Sequence, residues 1–307
     1  MKLAFFGTSG FACPALRALD DAYGIDLVAT QPDRPAGRHA KLHASPVKQV
    51  ALERQLKLIQ PNNINDAEVV EMLRDAPLDA IVVASYGQLL KPAVFALPRL
   101  GTINIHASLL PAYRGAAPVN WAIMHGAEST GVSTFFIERG LDTGDILMMQ
   151  SLSIEPDETA AELEHRLAEL GASVILETLD GLEKGLIHAV AQPQTGVSLA
   201  PSLTRENGHI NWDMPSKEIH NLVRGTMPWP GAWTHLGDHR VKIHRTLLTD
   251  YASGVLGPGE IGPSETNRLL IGTKDHLLEI LELQREGKSK TSGRDFLHAL
   301  HLPVAFC

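Results

Sequence analysis

The first half of the chain alternates short apolar runs with segments of helical character, and this pattern restricts the fold more than any other feature. Strands are predicted at Lys2–Gly7, Asp26–Thr30, Leu58–Gln60, Ala80–Ala84 and Thr102–His106, and helices at Pro14–Asp20, Pro46–Gln55 and Ala67–Arg74. The predicted strands Ala80–Ala84 and Thr102–His106 are apolar along most of their length, as in parallel strands that are covered on both faces. We therefore expect an α/β fold with a doubly wound, Rossmann-like sheet, where ligands gather beyond the carboxyl ends of the strands.

The second half has a different pattern. A capping box at Thr159–Glu162 predicts a long helix that runs to about Lys184. A stretch rich in Pro, Gly, Ser and Thr then leads to short predicted strands, with one helix near Ser216–Arg224 among them. The strands are Trp233–Leu236, Arg240–His244, Arg268–Thr273 and His276–Leu283. We expect a first domain over 1–186, a linker over 187–203 and a small β-barrel domain over 204–307.

Composition excludes several classes of protein. The chain has 307 residues, enough for two domains, and no run of about 18 apolar residues that could span a membrane. The N-terminus lacks the pattern of a signal peptide. Cys13 and Cys307 are too far apart in sequence to suggest a disulfide framework, which favours a reducing, cytoplasmic setting. His39 and His43 are four residues apart, but no third ligand is near, so no metal site is expected.

Charge is unevenly distributed along the chain. Residues 1–203 hold 15 Lys and Arg against 23 Asp and Glu, a net charge of −8, whereas residues 204–307 hold 12 of each, a net charge of 0. Residues 31–57 nevertheless hold six bases and two acids, a local charge of +4. Pro35 and Gly37 predict a loop without regular structure in this basic segment. A solvated loop and a binding loop both fit such a run of charge.

The strand at 102–106 ends with two polar side chains. Asn104 and His106 are two residues apart, so both project from the same face of the strand at its carboxyl end. Asp142 lies in a Gly turn between two further predicted strands, Gly131–Ile137 and Ile146–Leu152. A carboxylate beside His106 would stabilise the charged imidazole, and the amide and imidazole together could hydrogen-bond an oxyanion. No Ser or Cys in the motif resembles a nucleophile, which favours direct acyl-type transfer between two substrates. A purely structural polar pair is the alternative.

The wider motif resembles a known family. Residues 104–118 read N-x-H-x-S-L-L-P-x-Y-R-G-x-x-P, and L-D-T-G-D follows at 141–145. This combination resembles the 10-formyltetrahydrofolate-dependent formyltransferases. The stretches TQPDRPAGRHAKLHASPVK, SYGQLL and MPWPGAW are similar to those of the members whose acceptor is methionyl-tRNA. The resemblance covers nearly the whole chain and weakens after Gly287.

The resemblance implies a set of functional residues. The implied catalytic residues are Asn104, His106 and Asp142. The implied folate-binding residues are Ser108, Leu109, Leu110 and Pro111, together with the turn of Tyr86, Gly87, Gln88, Leu89 and Leu90. The implied tRNA-binding residues, in the loop from Arg34 to Lys41, are Arg34, Arg38 and Lys41. A C-terminal domain similar to an OB fold would bind the tRNA from the other side. Because its net charge is 0, more of the electrostatic attraction is expected from the Arg34–Lys41 loop.

The resemblance also implies the reaction and the partners. The formyl group of 10-formyltetrahydrofolate would pass to the α-amino group of initiator methionyl-tRNA for translation initiation, without a metal and without a membrane partner, in a monomer. Three alternatives stay open. A sugar-nucleotide N-formyltransferase would share the Asn, His and Asp core, and PVNW at 118–121 is also found in that group. The others are a non-catalytic folate- or RNA-binding module and a formyltetrahydrofolate hydrolase. QPDRPAGR and PWPGAW favour tRNA, because a small sugar substrate would not need them.

Overall fold

The computed structural model describes residues 1–36, 41–254, 256–262, 267–300 and 305–307. The strands in these ranges are β1 (Leu3–Gly7), β2 (Leu27–Ala29), β3 (Arg34–Ala36), β4 (Lys41–His43), β5 (Leu58–Ile59), β6 (Ala80–Ala84), β7 (Thr102–His106), β8 (Arg114–Gly115), β9 (Ser129–Phe136), β10 (Ile146–Ser153), β11 (Leu199–Ala200), β12 (Ala232–Leu236), β13 (His239–Ala252), β14 (Leu270–Gly272), β15 (His276–Arg285) and β16 (Thr291–Ser292). The α-helices are α1 (Cys13–Tyr23), α2 (Pro46–Glu53), α3 (Ala67–Asp75), α4 (Pro92–Phe95), α5 (Pro118–Met124), α6 (Ala160–Glu183), α7 (Ser216–Gly225) and α8 (Gly293–His298). Short 3-10 helices cover Gly10–Ala12 and Arg205–Gly208.

A seven-stranded sheet forms the core of the first half of the chain. Its strand order is β10-β9-β7-β6-β1-β2-β5. The five strands from β7 to β5 are parallel, and β9 and β10 are antiparallel additions at one edge. The chain builds outward from β1 to β5 and then returns to β6, so the winding direction changes between β1 and β6. Every residue of β1 and β6 is buried, which explains their uninterrupted apolar sequences.

The basic segment after β2 was predicted to lack regular structure, and this prediction was wrong. Strands β3 and β4 pair in antiparallel register, with Arg34 opposite His43 and Pro35 opposite Leu42. A two-stranded ribbon tolerates Pro35, because one edge of each strand makes no ladder hydrogen bonds and therefore needs no N–H donor. Residues 37–40, and the side chains of 35, 36 and 41, lie outside the described part of the chain.

The second half forms an antiparallel sheet of β12, β13, β15 and β14, with β16 paired to β15. Its core consists of aliphatic and aromatic side chains from the strands, from α7 and α8 and from the connecting segments, among them Trp212, Val241 and Phe296. Strand β13 runs from His239 to Ala252 and is much longer than the predicted 240–244. Its pairing with β15 shifts register at three places, which breaks the alternation that a sequence pattern can detect.

The structure divides into two compact units, and each is discontinuous in sequence. Unit 1 comprises Met1–Gly115, Ser129–Ser153 and Glu164–Ala200, and unit 2 comprises Ala116–Glu128, Ile154–Leu163 and Pro201–Cys307. The continuous boundaries at 186 and 204 stay a prediction. Within the described residues, no helix has both the length and the hydrophobicity needed to cross a membrane.

Helix α5 belongs to unit 2 and was not predicted. It packs against α7, and the Asn120 side-chain amide donates to the Gly225 carbonyl oxygen at 2.8 Å. A Cβ on Gly225 would lie 2.7 Å from Met124 Cγ, so only glycine permits this approach. The helix has seven residues, and its apolar positions are too few to separate a helical period from a strand.

Candidate active site

Strand β7 places Asn104 and His106 on the same side of the sheet, at the carboxyl end expected from the sequence. Ile103 and Ile105, on either side of Asn104 in the sequence, are buried on the other face. Asn104 pairs with Phe135 of β9 and is partly exposed. Its side chain makes no hydrogen bond to any described residue, so the amide N–H groups are available to a ligand.

His106 is held between two oxygen atoms. Its side chain is buried, with 5% of the residue exposed, and its ring meets Phe135 edge-on with centroids 6.3 Å apart. Nε2 lies 2.9 Å from the carbonyl oxygen of Tyr113. A carbonyl only accepts hydrogen bonds, so Nε2 carries the proton of this bond. Nδ1 lies 3.7 Å from Oδ2 of Asp142 and is therefore the nitrogen that can exchange a proton beside the carboxylate.

Asp142 is brought to His106 by the turn between β9 and β10. Its Oδ2 accepts the Gly115 N–H at 2.8 Å, and its Oδ1 has no hydrogen-bond partner among the described residues. The distance of 3.7 Å between Asp142 Oδ2 and His106 Nδ1 allows electrostatic attraction but is longer than a hydrogen bond. Asp142 has φ 51° and Tyr113 has φ 57°, a left-handed conformation that costs a non-glycine residue about 1–2 kcal/mol. Both neighbours of the imidazole are thus in backbone conformations that other contacts must support.

Two residues of the predicted linker provide such contacts, and sequence reasoning missed both. The Gln192 amide donates to the carbonyl oxygens of Asp142 and Gly144 at 2.9 and 2.8 Å. The Ser198 hydroxyl oxygen accepts the Tyr113 N–H at 2.8 Å. Strand β11 pairs in parallel with β8, the strand that follows Tyr113. One glutamine or serine among the residues of a loop-like stretch does not stand out in the sequence, so neither contact could be predicted.

The residues implied for folate binding form two ordered loops. Ser108 is fully buried, and its hydroxyl donates to the Ala112 carbonyl oxygen at 2.6 Å. Leu110 is buried and its N–H donates to the Ser133 hydroxyl at 3.0 Å, whereas Leu109 and Pro111 are partly exposed. These contacts fix the S-L-L-P loop against β9.

The second loop follows β6. Tyr86 is buried, its carbonyl oxygen accepts from the Thr8 hydroxyl at 2.8 Å, and burial raises the pKa of its phenol. Gly87 has φ 84°, which favours glycine at this position. The Gln88 side chain accepts the Ile64 N–H at 2.7 Å, while Leu89 is exposed and Leu90 is buried. The loop backbone is therefore tied to neighbouring segments, and Leu89 presents an apolar side chain to solvent.

The residues implied for tRNA binding are only partly described. Arg34 is exposed, and one of its guanidinium nitrogens donates to Gln31 Oε1 at 3.3 Å. Arg38 lies outside the described residues, and of Lys41 only the backbone, in β4, is described. Two other bases of the segment are paired: Lys48 with Asp33 at 2.7 Å, and Arg54 with Asp20 at 2.8 Å. The Lys48 ammonium holds the pKa of the Asp33 carboxyl below its ordinary value.

A glycine in the turn of Asp142 gives a prediction about the site. A Cβ on Gly144 would overlap the backbone carbonyl oxygen of Phe136. We expect Gly144→Ala to lower the free energy of unfolding by about 1–3 kcal/mol, because the backbone must move to relieve the overlap. The acyl-type transfer expected from the sequence should also fall, because the same movement displaces Asp142. Urea unfolding and a transfer assay test this.

Gly10→Ala is the matched control, because a Cβ on Gly10 would meet nothing within 4 Å. We expect it to leave stability and transfer close to those of the unchanged protein. A Gly144→Ala protein that matches the control in both measurements would contradict the rigid turn.

Metal ligands are absent from this site as described. Within the described ranges, no group of three or more His, Cys, Asp or Glu side chains is placed to hold a metal ion. The arrangement consists of an unpartnered amide, a buried imidazole and a carboxylate at the end of a parallel strand. Such a set can stabilise an oxyanion and move a proton.

Comparison with known proteins identifies the class. The sequence pattern of the family described as formyl transferase matches residues 1–179, and that of the formyl transferase C-terminal domain matches residues 202–301. The chain is 45% identical over 300 residues to a methionyl-tRNA formyltransferase from Acidobacterium capsulatum, covering 97% of this chain and 96% of the relative. It is 41% identical over 305 residues to the one from Caldanaerobacter subterraneus, covering 99% and 98%. The chain belongs to the formyl transferase family.

Solved structures agree on the fold. The N-formyltransferase from Helicobacter canadensis, in complex with folinic acid and dTDP-3-aminofucose, matches with a TM-score of 0.70 at 18% identity, over 91% of this chain and 98% of that one. The sugar 3N-formyl transferase WlaRD, crystallised with dTDP and 5-N-formyl-THF, matches with a TM-score of 0.69 at 20% identity, over 94% and 99%. These likenesses confirm the predicted Rossmann-like α/β domain followed by a β-rich domain.

Proposed function

We propose that this enzyme transfers the formyl group of 10-formyltetrahydrofolate to the free α-amino group of initiator methionyl-tRNA. The observation that carries the chemistry is the Asn104 amide, which has no hydrogen-bond partner among the described residues, next to His106, whose Nδ1 faces Asp142 at 3.7 Å. The acceptor is supported by relatives at 41% and 45% identity that are named methionyl-tRNA formyltransferases, whereas the sugar enzymes are 18% and 20% identical. The product would serve translation initiation, which places the enzyme in the cytoplasm. A monomer, expected from the sequence, stays a prediction.

The reaction proceeds by direct attack of the amine. The nitrogen lone pair forms a bond to the formyl carbon, and the C=O electrons move to the oxygen. Asn104 donates a side-chain N–H to this oxyanion, and His106 donates from Nδ1 when that nitrogen is protonated, because Nε2 is occupied by the Tyr113 carbonyl. Asp142 takes the proton of the attacking amine on Oδ1. The C–N10 bond then breaks, N10 keeps the electron pair and receives the proton, and N-formylmethionyl-tRNA and tetrahydrofolate leave.

The donor lies between the two loops that follow β6 and β7. Ser108, Leu109, Leu110 and Pro111 line one side, and the turn from Tyr86 to Leu90 lines the other. Both loops are fixed by hydrogen bonds between backbone N–H groups and side-chain oxygens, and Leu89 is exposed at 75%. An apolar side chain held in solvent by an ordered loop is suited to cover a flat heteroaromatic ring.

The acceptor is held by charge and by stacking. Arg34, Arg38 and Lys41 of the basic segment 31–57 contact the phosphates at the acceptor end of the tRNA. Unit 2 adds an aromatic and cationic surface, although residues 204–307, which make up most of it, have a net charge of 0. The Arg240 guanidinium lies 3.8 Å above the Trp233 ring centroid, and the His209 ring is centred 4.4 Å from that of Trp233. Such groups stack on unpaired bases without requiring a high net charge.

An acceptor panel tests the proposed function. The enzyme and 10-formyltetrahydrofolate are incubated in three separate reactions, which contain methionyl-tRNA, an amino-sugar nucleotide or buffer alone. We expect transfer to methionyl-tRNA at the highest kcat/KM. Transfer mainly to the sugar nucleotide, or release of formate without an acceptor, would overturn the proposal in favour of a sugar N-formyltransferase or a hydrolase.

The basic segment 31–57 gives a separate prediction about the binding of the acceptor. Arg38→Ala should lower kcat/KM for methionyl-tRNA and leave formyl-folate binding unchanged, because the folate lies between other loops. The slope of log K against log salt for tRNA binding should become shallower by about 0.7–0.9 for each lost phosphate contact. Lys57→Ala, which removes an exposed base from the same basic segment, is the control. Equal salt slopes for the Arg38 and Lys57 variants would exclude a phosphate contact by Arg38.

A further inference from the structure

Gln192 is buried in a stretch of sequence that resembles a linker. Only 7% of its surface is exposed, whereas Ala191, Pro193 and Gln194 around it are exposed. Both the nitrogen and the oxygen of its side-chain amide make hydrogen bonds. Nε2 donates to the carbonyl oxygens of Asp142 and Gly144, and Oε1 accepts from two nitrogens of the Arg114 guanidinium, at 3.1 and 2.6 Å. A primary amide has two donor hydrogens, so both are used here.

The two carbonyl groups belong to the turn that carries Asp142. Residues 138–141 of this turn are exposed, and Asp142 has φ 51°. Hydrogen bonds from the Gln192 amide and from the Gly115 N–H restrain the turn from outside, and the left-handed conformation would otherwise relax. By holding the carbonyl groups of Asp142 and Gly144, Gln192 fixes the direction in which the Asp142 carboxylate leaves the backbone.

The same segment supports the other neighbour of His106. The Ser198 hydroxyl oxygen accepts the Tyr113 N–H at 2.8 Å, and the Ser198 carbonyl oxygen accepts the Arg114 N–H at 2.9 Å. The carbonyl of Tyr113 in turn accepts the hydrogen bond from His106 Nε2. The stretch from Gln192 to Ala200 thus holds both oxygen atoms between which the imidazole lies.

We propose that Gln192 is a positioning residue of the transfer reaction, which sets the Asp142 carboxylate against His106 through the turn of residues 142–144. The inference rests on the proposed function, because Asp142 and His106 act there on the substrates. Gln192 itself touches neither substrate. Its removal displaces the Asp142 carboxylate, and a displacement of about 1 Å at a reacting group can lower the rate by about 10²-fold.

The test compares Gln192→Ala and Gln192→Met with Gln194→Ala. Methionine fills the space of the glutamine side chain without its hydrogen bonds, so it serves if the alanine variant does not fold. Gln194→Ala removes an exposed glutamine two residues away. We expect kcat to fall by about 10–10²-fold in both Gln192 variants, with KM for both substrates nearly unchanged, and to stay normal in Gln194→Ala.

A double variant separates positioning from general destabilisation. If Gln192 acts through Asp142, the Gln192→Met, Asp142→Asn protein should be hardly slower than Asp142→Asn alone. Losses that multiply would overturn the proposal, because they would show that Gln192 acts elsewhere. A normal kcat in a folded Gln192→Met protein would overturn it as well.

An activity-independent measurement keeps this inference separate from the proposed function. The ring nitrogen signals of His106 are recorded by ¹⁵N NMR in the unchanged protein and in each variant. We expect them to move in Gln192→Met and to stay in place in Gln194→Ala. Unmoved signals in Gln192→Met overturn the positioning role even if the acceptor differs from methionyl-tRNA. A lack of transfer by the unchanged protein, with the NMR shifts as expected, overturns only the proposed acceptor.

Discussion

Asn104→Ala is expected to lower kcat for formyl transfer by about 10²–10³-fold, the usual cost of removing one oxyanion donor. The Asn104 side chain makes no hydrogen bond to a described residue, so its removal leaves no buried partner unsatisfied. The free energy of unfolding should therefore change little. Single-turnover kinetics with saturating formyl-folate and acceptor, together with urea unfolding, measure both quantities.

Asn211→Ala is the control for this substitution, since it removes an exposed asparagine side chain from unit 2. It should transfer at the normal rate. The opposite pattern, a normal rate together with a large loss of stability in Asn104→Ala, would make Asn104 a structural residue of β7. That outcome would return the polar pair to the structural interpretation that the sequence left open.

Asp142→Asn is expected to have an effect of similar or larger size. The amide oxygen can still accept the Gly115 N–H that Asp142 Oδ2 accepts at 2.8 Å, so the turn should keep its shape. The negative charge beside His106 Nδ1 and the proton acceptor for the amine are both lost. General acid–base catalysis contributes about 10²–10⁴-fold, and we expect kcat to fall within this range.

Glu138→Gln tests whether charge alone explains such a loss. Glu138 is an exposed carboxylate in the same turn, and its neutralisation changes the net charge by the same amount. We expect this variant to transfer normally. Equal losses in the two variants would indicate a general electrostatic effect on the acceptor rather than a proton transfer at Asp142.

The sequence predicted the parts of the fold that bury long apolar runs. Strands β6 and β7 have the predicted ends, at Ala80–Ala84 and Thr102–His106. Strand β6 is an uninterrupted apolar run that is buried along its whole length, and in β7 the buried Ile103 and Ile105 mark the strand. Asn104 and His106 were noticed because polar residues at the end of a mostly buried strand are exceptional. The turn with Asp142 became visible through its glycines and the strands on either side.

Other features could not be read from the sequence, for physical reasons. Gln192 contacts residues 48 to 78 positions away, and no local pattern encodes such a distance. The Tyr113 carbonyl that holds His106 belongs to the backbone, so any residue type could supply it. The pairing of β3 with β4 was missed because proline and glycine in this segment oppose strands in general, although a two-stranded ribbon tolerates Pro35.

The most direct test of the account follows the formyl group itself. The enzyme is mixed with 10-formyltetrahydrofolate labelled with ¹³C in the formyl carbon and with methionyl-tRNA, the reaction is quenched within one turnover, and the label is located by mass spectrometry. We expect the label to pass to the α-nitrogen of methionine without first appearing on the protein. We also expect Asn104→Ala to slow the labelling of methionine by about 10²–10³-fold. Label found in free formate or bound covalently to the protein before the product forms would contradict direct transfer at this site.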